Sequence, residues 1–476
     1  MELTYLGHQG WCFSEVDSHL LVDPILTDSF GSSPWLRFTV SPKRLIDCEG
    51  MPRPVAVVIT NEHLDHMHLP SLKLLPVDVP VLVHSLTSAV AVEAITQLGL
   101  AVTRAQEGET HQFGDLSVQL YRGWDDAPFW ENRVSQAHVF PSDDRSAGAY
   151  IQSDTLVNPS GRAVLDCSPT FFIATHNAQV PPPGFRGALD NLLPLDDERA
   201  TQALGLDLIH DLLETYPRLM PSTRCVVLSG GGYRQVPEKH GPFRWADFAA
   251  LETIARTLAL GVDVVGPRPG ESFSLEDGRL RRGNVPWVTC YSSESPMTDD
   301  RGCGSAPDMP EIAYELPPVN VAGDEAVASA VIEGELPRLA RTILVSELGR
   351  DLLRANEYLG QGLGPHRFVL HLRTRDGAAQ AQALNVNRAR FELLAGDLRS
   401  LIYAVPFGID CNLVDLADVI GGRLQIWELA TARMNQWYVT DRFRSPVAFL
   451  YAYFSEQCRP DIAQLLYQHV AETNDL

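Results

Sequence analysis

The 476-residue sequence has no C-x-x-C pair, and none of its eight cysteines is followed by a histidine one or two positions later. The second absence argues against a Rieske iron–sulfur centre in this chain. Scattered, unpaired cysteines fit a reduced compartment. No apolar run reaches the roughly 18 residues that a membrane-spanning helix needs, so no membrane partner is expected. The opening MELTYLGHQGWCF lacks a basic n-region and an apolar h-region, so it does not read as an export signal and a cytoplasmic location is expected. Basic residues are also in deficit: 38 Lys and Arg face 60 Asp and Glu, a formal charge of −22. Such a surface repels polyanions, and nucleic acid is not an expected partner.

What is present is the composition of a soluble globular protein, 45% hydrophobic and 21% charged. The length suggests two or three domains. LTYLGHQGWCFSEV, HLLVDP, PVAVVIT and VPVLVH read as successive strands, and SLTSAVAVEAITQLGL as an amphipathic helix. AVTRAQ, DLSVQLYRG, AGAYIQS, GRAVLDC and TRCVVLSGGGYR continue the strands, and 190–218 is helical by period. Strand clusters interrupted by helices predict two sheets with helices outside, rather than one parallel sheet. Residues 292–324 are rich in Ser, Pro, Asp and Gly and read as a linker. The expected division is therefore a first domain over 1–291 and a C-terminal α+β domain over 325–476. In the latter, a long helical stretch from Val327 is expected to break at Pro337.

Chemistry concentrates in Val58-Ile59-Thr60-Asn61-Glu62-His63-Leu64-Asp65-His66, where an apolar strand ends in a turn crowded with imidazoles and carboxylates. Packing does not require that crowding. Nitrogen and oxygen donors on a loop leaving a strand can point into one cleft and share divalent metals.

This stretch resembles the H-x-H-x-D-H signature of the metallo-β-lactamase superfamily, whose members are mostly hydrolases with some iron-dependent redox enzymes. Companion features follow in order: Asp23 ending Leu20-Leu21-Val22, His138 before the strand Gly148-Ala149-Tyr150-Ile151, and Asp166 in Val164-Leu165-Asp166-Cys167. The resemblance implies an α/β fold, the αββα metallo-β-lactamase sandwich, followed by the C-terminal α+β domain. Two departures stand out. The first signature His is Asn61, and the late strand tip carries Ser229-Gly230-Gly231-Gly232, leaving His240 as the nearest candidate for the final His. A narrower resemblance, to CMP-N-acetylneuraminic acid hydroxylases without their Rieske portion, rests on the signature followed by LPSLKLL, on Gly266-Pro267-Arg268-Pro269-Gly270 and on a tail with Ile426-Trp427-Glu428-Leu429 and Arg444-Ser445-Pro446.

Carried over position by position, the resemblance implies that His63, His138 and Asp166 hold a first metal. Asp65, His66, Asp166 and His240 hold a second, and Asp65 also acts in catalysis. Two imidazoles and one carboxylate with open positions suit non-haem iron, one ion or two; zinc or manganese is the alternative. An iron centre implies an oxygenase or hydroxylase fed by an external reductase. A zinc centre implies a metallohydrolase acting on a lactone, amide or phosphoester through activated water. The lost ligands also leave open a degenerate member without metal. His176 and Arg268 are candidates for contact with a small or carrier-linked substrate. His8 reads as a structural hydrogen-bonding group, His68 as solvent-facing or supporting, and Trp427, Trp437 and Tyr438 as core. The C-terminal domain either closes over the metal cleft or mediates a homodimer.

Overall fold

The computed structural model describes residues 1–123, 133–155, 157, 169–175, 179–180, 192, 223–230, 233–236, 244–245, 248–258, 261–291, 316–359, 364–438 and 446–473. Asp166, His176 and His240, the expected strand GRAVLDC, the helix over 190–218 and most of the expected linker therefore lie outside the described residues.

Two sheets face each other. The first has eight strands in the order Arg279–Asn284, Glu271–Glu276, Glu2–Gly7, Gly10–Glu15, Ser18–Val22, Ala56–Ile59, Val81–His84 and Val102–Ala105. The second has seven: Thr110–Phe113, Leu116–Arg122, Ser135–Pro141, Ala149–Ile151, Phe171–Thr175, Cys225–Ser229 and Asp263–Val265. Their facing side chains, among them Leu3, Phe13, Val58, Leu120, Ala137, Val139, Ile173 and Val227, form one buried cluster. Alternation supplies this core from both sheets. Within Ala56–Ile59 all four residues are buried, as expected for a strand covered on both faces.

The first expected strand is instead a hairpin. Glu2–Gly7 and Gly10–Glu15 pair antiparallel around a turn in which Gly7 and His8 adopt φ of 105° and 53°. Helix Ala89–Gln97, capped by the Ser88 hydroxyl accepting from Ala91 N, covers the outer face of the first sheet. The C-terminal helix Pro460–Glu472 packs there too, burying Ala463, Leu466, Tyr467 and Val470 against Leu64, Leu72 and Ile95.

The C-terminal half carries a five-stranded sheet in the order Arg390–Leu394, Ala379–Asn385, His366–Arg373, Phe407–Asn412 and Met434–Tyr438. The helical stretch does not break at Pro337. Helix Glu325–Val345 runs through that proline, and the break falls at Ser346, before Glu347–Leu359. The packing of Leu336, Leu339, Ala340 and Ile343 on either side holds the helix through a position that lacks an N–H donor. This core is continuous with the first half: Phe30, Leu36, Phe38 and Val40 share a cluster with Leu370, Ile409 and Leu429.

The parallel strands dictate where a site can form. Ser18–Val22, Ala56–Ile59 and Val81–His84 run parallel, as do Ala149–Ile151, Phe171–Thr175 and Cys225–Ser229. Loops leaving their carboxyl ends meet at one rim, the usual place for a ligand in α/β sheets.

Candidate metal centre

Three loops deliver the polar groups: Asp23 after Ser18–Val22, Thr60 to His66 after Ala56–Ile59, and Ser153-Asp154 after Ala149–Ile151. His66 is fully buried at the centre. Its Nδ1 donates to Asp23 Oδ2 at 2.8 Å, and its Nε2 lies 2.9 Å from Asp154 Oδ2 and 3.8 Å from Asp65 Oδ2. One atom each from Asp65, His66 and Asp154 falls within 4.8 Å of the others, close enough for one ion to be shared. Asp23 is itself fixed, accepting from Thr60 N at 2.8 Å and from the Thr60 hydroxyl. A ring nitrogen held by a carboxylate is the arrangement that orients a metal-binding imidazole and presents its other nitrogen.

The flanking hairpin completes the surround. His8 Nε2 lies 3.0 Å from Asp65 Oδ2, so the expected structural hydrogen bond goes to a candidate ligand. Gln9 Nε2 donates to Asp154 Oδ1 at 2.8 Å. Ser229 Oγ donates to the His8 carbonyl oxygen at 3.1 Å, tying the hairpin to the second sheet. His8, Asp23 and Ser153 all have positive φ, of 53°, 45° and 55°. Side chains other than glycine pay about 1–3 kcal/mol for such conformations, and clustering of strain is a mark of functional sites.

The electrostatics ask for a cation. Burial pushes the His66 imidazole down, but Asp154, Asp23 and Asp65 together outweigh it and hold the pKa well above the ordinary histidine value. Burial likewise pushes the Asp65 carboxyl up, and the His66 and His8 rings overcome it, leaving it well below the carboxylate range. Asp65 Oδ1 is buried without a hydrogen-bond partner. A carboxylate oxygen orphaned beside a second carboxylate and an imidazole fits a divalent cation.

His63 stands at the margin. Its backbone N–H donates to Asn61 Oδ1 at 3.2 Å, and its ring centroid lies 6.4 Å from that of Trp427. Burial lowers its pKa, offset in part by Asp65 and Glu456. His68 is buried rather than solvent-facing, with Nδ1 2.6 Å from Ser71 Oγ. Glu62 turns away from the cluster. Its Oε1 accepts from Ser88 N at 2.8 Å and from Arg133 Nη1 at 3.0 Å, and Arg133 Nη2 donates to Glu456 Oε2 at 2.7 Å.

The structure does not bring His138 to this cluster. Its neighbours Ala137 and Val139 point into the core between the sheets, so strand alternation sends His138 to the opposite face. There its ring packs 4.7 Å from Phe140 and 6.5 Å from Tyr150, over Gly148, whose added Cβ would meet Nε2 at 2.5 Å. Both ring nitrogens are buried without partners, and burial, then the Arg145 charge, pushes the pKa down to about 3. Arg268 is exposed on the turn before Glu271–Glu276, its N–H donating to Glu271. Trp437 and Tyr438 are core residues, as expected, while Trp427 also lines a cavity beside His63. Asp154 was missed in the sequence, although its signal matches that of Asp23: an aspartate just past the end of an apolar strand.

Residues 2–143 match the family model of the beta-lactamase superfamily domain. The architecture is accordingly that of the metallo-β-lactamase fold with a C-terminal α+β region, a fold of metal-dependent enzymes. The comparison with curated proteins found no match. Among solved structures, a possible metal-dependent hydrolase from Veillonella parvula is similar at 15% identity and TM-score 0.42, covering 58% of this chain and 99% of its own. An isothiocyanate hydrolase from Delia radicum gut bacteria is similar at 17% identity and TM-score 0.40, with the same coverages of 58% and 99%. A diiron β-hydroxylase from Streptomyces venezuelae, CmlA, shows 13% identity and TM-score 0.35 over 60% of this chain and 54% of its own. Likeness of this degree transfers neither substrate nor metal. No described helix is long and apolar enough to cross a membrane.

Proposed function

We propose that this chain is a metal-dependent oxygenase or hydroxylase acting on a small polar or carrier-linked substrate, with Asp65, His66 and Asp154 holding iron and electrons arriving from an external donor. The observation that carries the metal assignment is the convergence of these three side chains within 4.8 Å. One imidazole with two carboxylates is an oxygen-rich set, which suits iron or manganese better than the nitrogen- and sulfur-rich sets typical of zinc. The resemblance of the signature and tail to CMP-N-acetylneuraminic acid hydroxylases supports the oxygenase direction.

An iron ion held here supplies dioxygen chemistry when bound. The protein's own residues prepare the site. Asp23 fixes the His66 ring, Gln9 fixes Asp154, and His8 holds one oxygen of Asp65. The C-terminal residues Trp427 and Glu456 close the side next to His63.

A second reading, a metallohydrolase, is favoured by Asp65 Oδ1 alone. This buried oxygen has no hydrogen-bond partner in the protein, which leaves it available to orient a metal-bound water molecule. Metal analysis of protein purified from iron-supplemented cells separates the readings. Near-stoichiometric iron with oxygen uptake under a reductant supports the oxygenase. Zinc or manganese with esterase or phosphatase turnover supports the hydrolase. Protein that carries no metal and whose melting temperature ignores added metal would defeat both.

A further inference from the structure

We propose that the cavity between His63 and the C-terminal helices is a specificity pocket for a short, branched, uncharged aliphatic group, with the rest of the substrate directed toward Asp65, His66 and Asp154. The inference rests on the metal-dependent reading above and adds the substrate class.

The cavity has a volume of about 50 Å³. Its wall combines His63 from the metal loop with Trp427, Phe454, Glu456, Ile462 and Ala463 from the C-terminal half. A water needs on the order of 10–15 Å³ by this kind of measure, and a dry cavity that admits benzene is on the order of 150 Å³. The space therefore suits three or four heavy atoms and excludes an aromatic ring or a sugar.

The wall also specifies charge. Glu456 supplies its one carboxylate, and both oxygens are engaged, Oε2 by Arg133 Nη2 at 2.7 Å and Oε1 by the Tyr467 hydroxyl at 3.1 Å. Gln425 accepts from Trp427 Nε1, and Ser455 Oγ donates to the Ala452 carbonyl oxygen at 2.7 Å. A charged group entering here would lose its hydration without gaining these partners, whereas an aliphatic group meets Leu424, Ile426 and Leu466. His63 links pocket and cluster: its side chain lines the cavity, and its backbone carbonyl oxygen accepts from the His66 N–H at 3.0 Å.

The test uses the zinc-loaded full chain and three amide probes: acetamide, isobutyramide and benzamide, with dissociation constants from ligand-observed NMR. Two extra buried carbons should make isobutyramide bind about tenfold tighter than acetamide. Benzamide should gain nothing over acetamide. Ala463→Phe fills the cavity and should erase the isobutyramide preference, while Phe454→Leu enlarges it and should give benzamide about a fivefold gain. Equal binding of all three amides, or a preference that survives in Ala463→Phe, overturns the inference. If Ala463→Phe does not fold, Phe454→Leu decides, and absence of a benzamide gain overturns it. Zinc uptake is measured separately in the wild type. Failure to take up zinc, iron and manganese alike sinks the metal reading, whereas zinc uptake without amide discrimination sinks the pocket alone.

Discussion

His66 Nδ1 and Asp23 Oδ2 lie 2.8 Å apart, both buried, and this contact sets the direction of the imidazole at the centre of the site. With the proton held on Nδ1, Nε2 faces Asp154 and Asp65. Asp23→Asn keeps an oxygen for Thr60 N but can present an amide to Nδ1, which destabilises the required tautomer. Metal affinity should fall about 10–100-fold, the usual cost of losing such a supporting carboxylate. Competition with a chromophoric chelator measures it, and an unchanged affinity would show that His66 is not a ligand.

Arg133 ties the metal loop to the C-terminal half through two nearly buried carboxylates, Glu62 and Glu456. Burial, then the charge of Glu456, raises the Glu62 pKa to about 7 against the opposing pull of Arg133. Arg133→Met removes the shared cation and leaves both carboxylates uncompensated, so it should destabilise the fold by about 3–5 kcal/mol in urea titrations. Adding Glu456→Gln removes one stranded charge and should recover part of that loss. If the double variant is no more stable than the single, the network is not what holds the loop.

Most of the scaffold was legible because its signals are local. Val81–His84 and Cys225–Ser229 are apolar runs ended by polar turns, and the helix Ala89–Gln97 falls inside the stretch whose period reads as helical. Within the signature loop, Asp65 and His66 stand together in the cluster. What a sequence does not show is which face of a strand a side chain takes in the folded register. His138 sits in the right segment but alternates outward, whereas Asp154 is carried to the cluster by the end of a neighbouring strand. The two positions make a direct contrast. Asp154→Ala should reduce bound metal to less than about a tenth of the wild-type content, because two donors from one loop remain. His138→Leu should leave metal content unchanged and cost little stability, since it replaces a buried imidazole without hydrogen-bond partners. Elemental analysis after dialysis reads both, and the reverse pattern would return the ligand role to His138.

His84 offers a pH test at a residue that is none of the three candidate ligands. It ends its strand nearly buried, Nδ1 accepting from Leu86 N at 3.2 Å, while Nε2 has no partner. Burial, followed by the charge of Arg122, lowers its pKa from 6.5 to about 4. The unfolded chain therefore takes up a proton near pH 6.5 that the folded chain refuses until about pH 4. The neutral ring contributes stability above pH 6.5, and this is lost as pH falls through that window at about 1.4 kcal/mol per unit. Other groups titrate in the same range in both directions, so the informative quantity is the difference between wild type and His84→Gln. Urea midpoints at pH 7.0, 6.0 and 5.0 should show the wild type losing stability relative to the variant as the solution becomes more acidic. A difference that stays constant with pH would mean that His84 takes up its proton over the same range in the native state as in the unfolded chain, and that the Arg122 charge and the buried setting do not act on it as described.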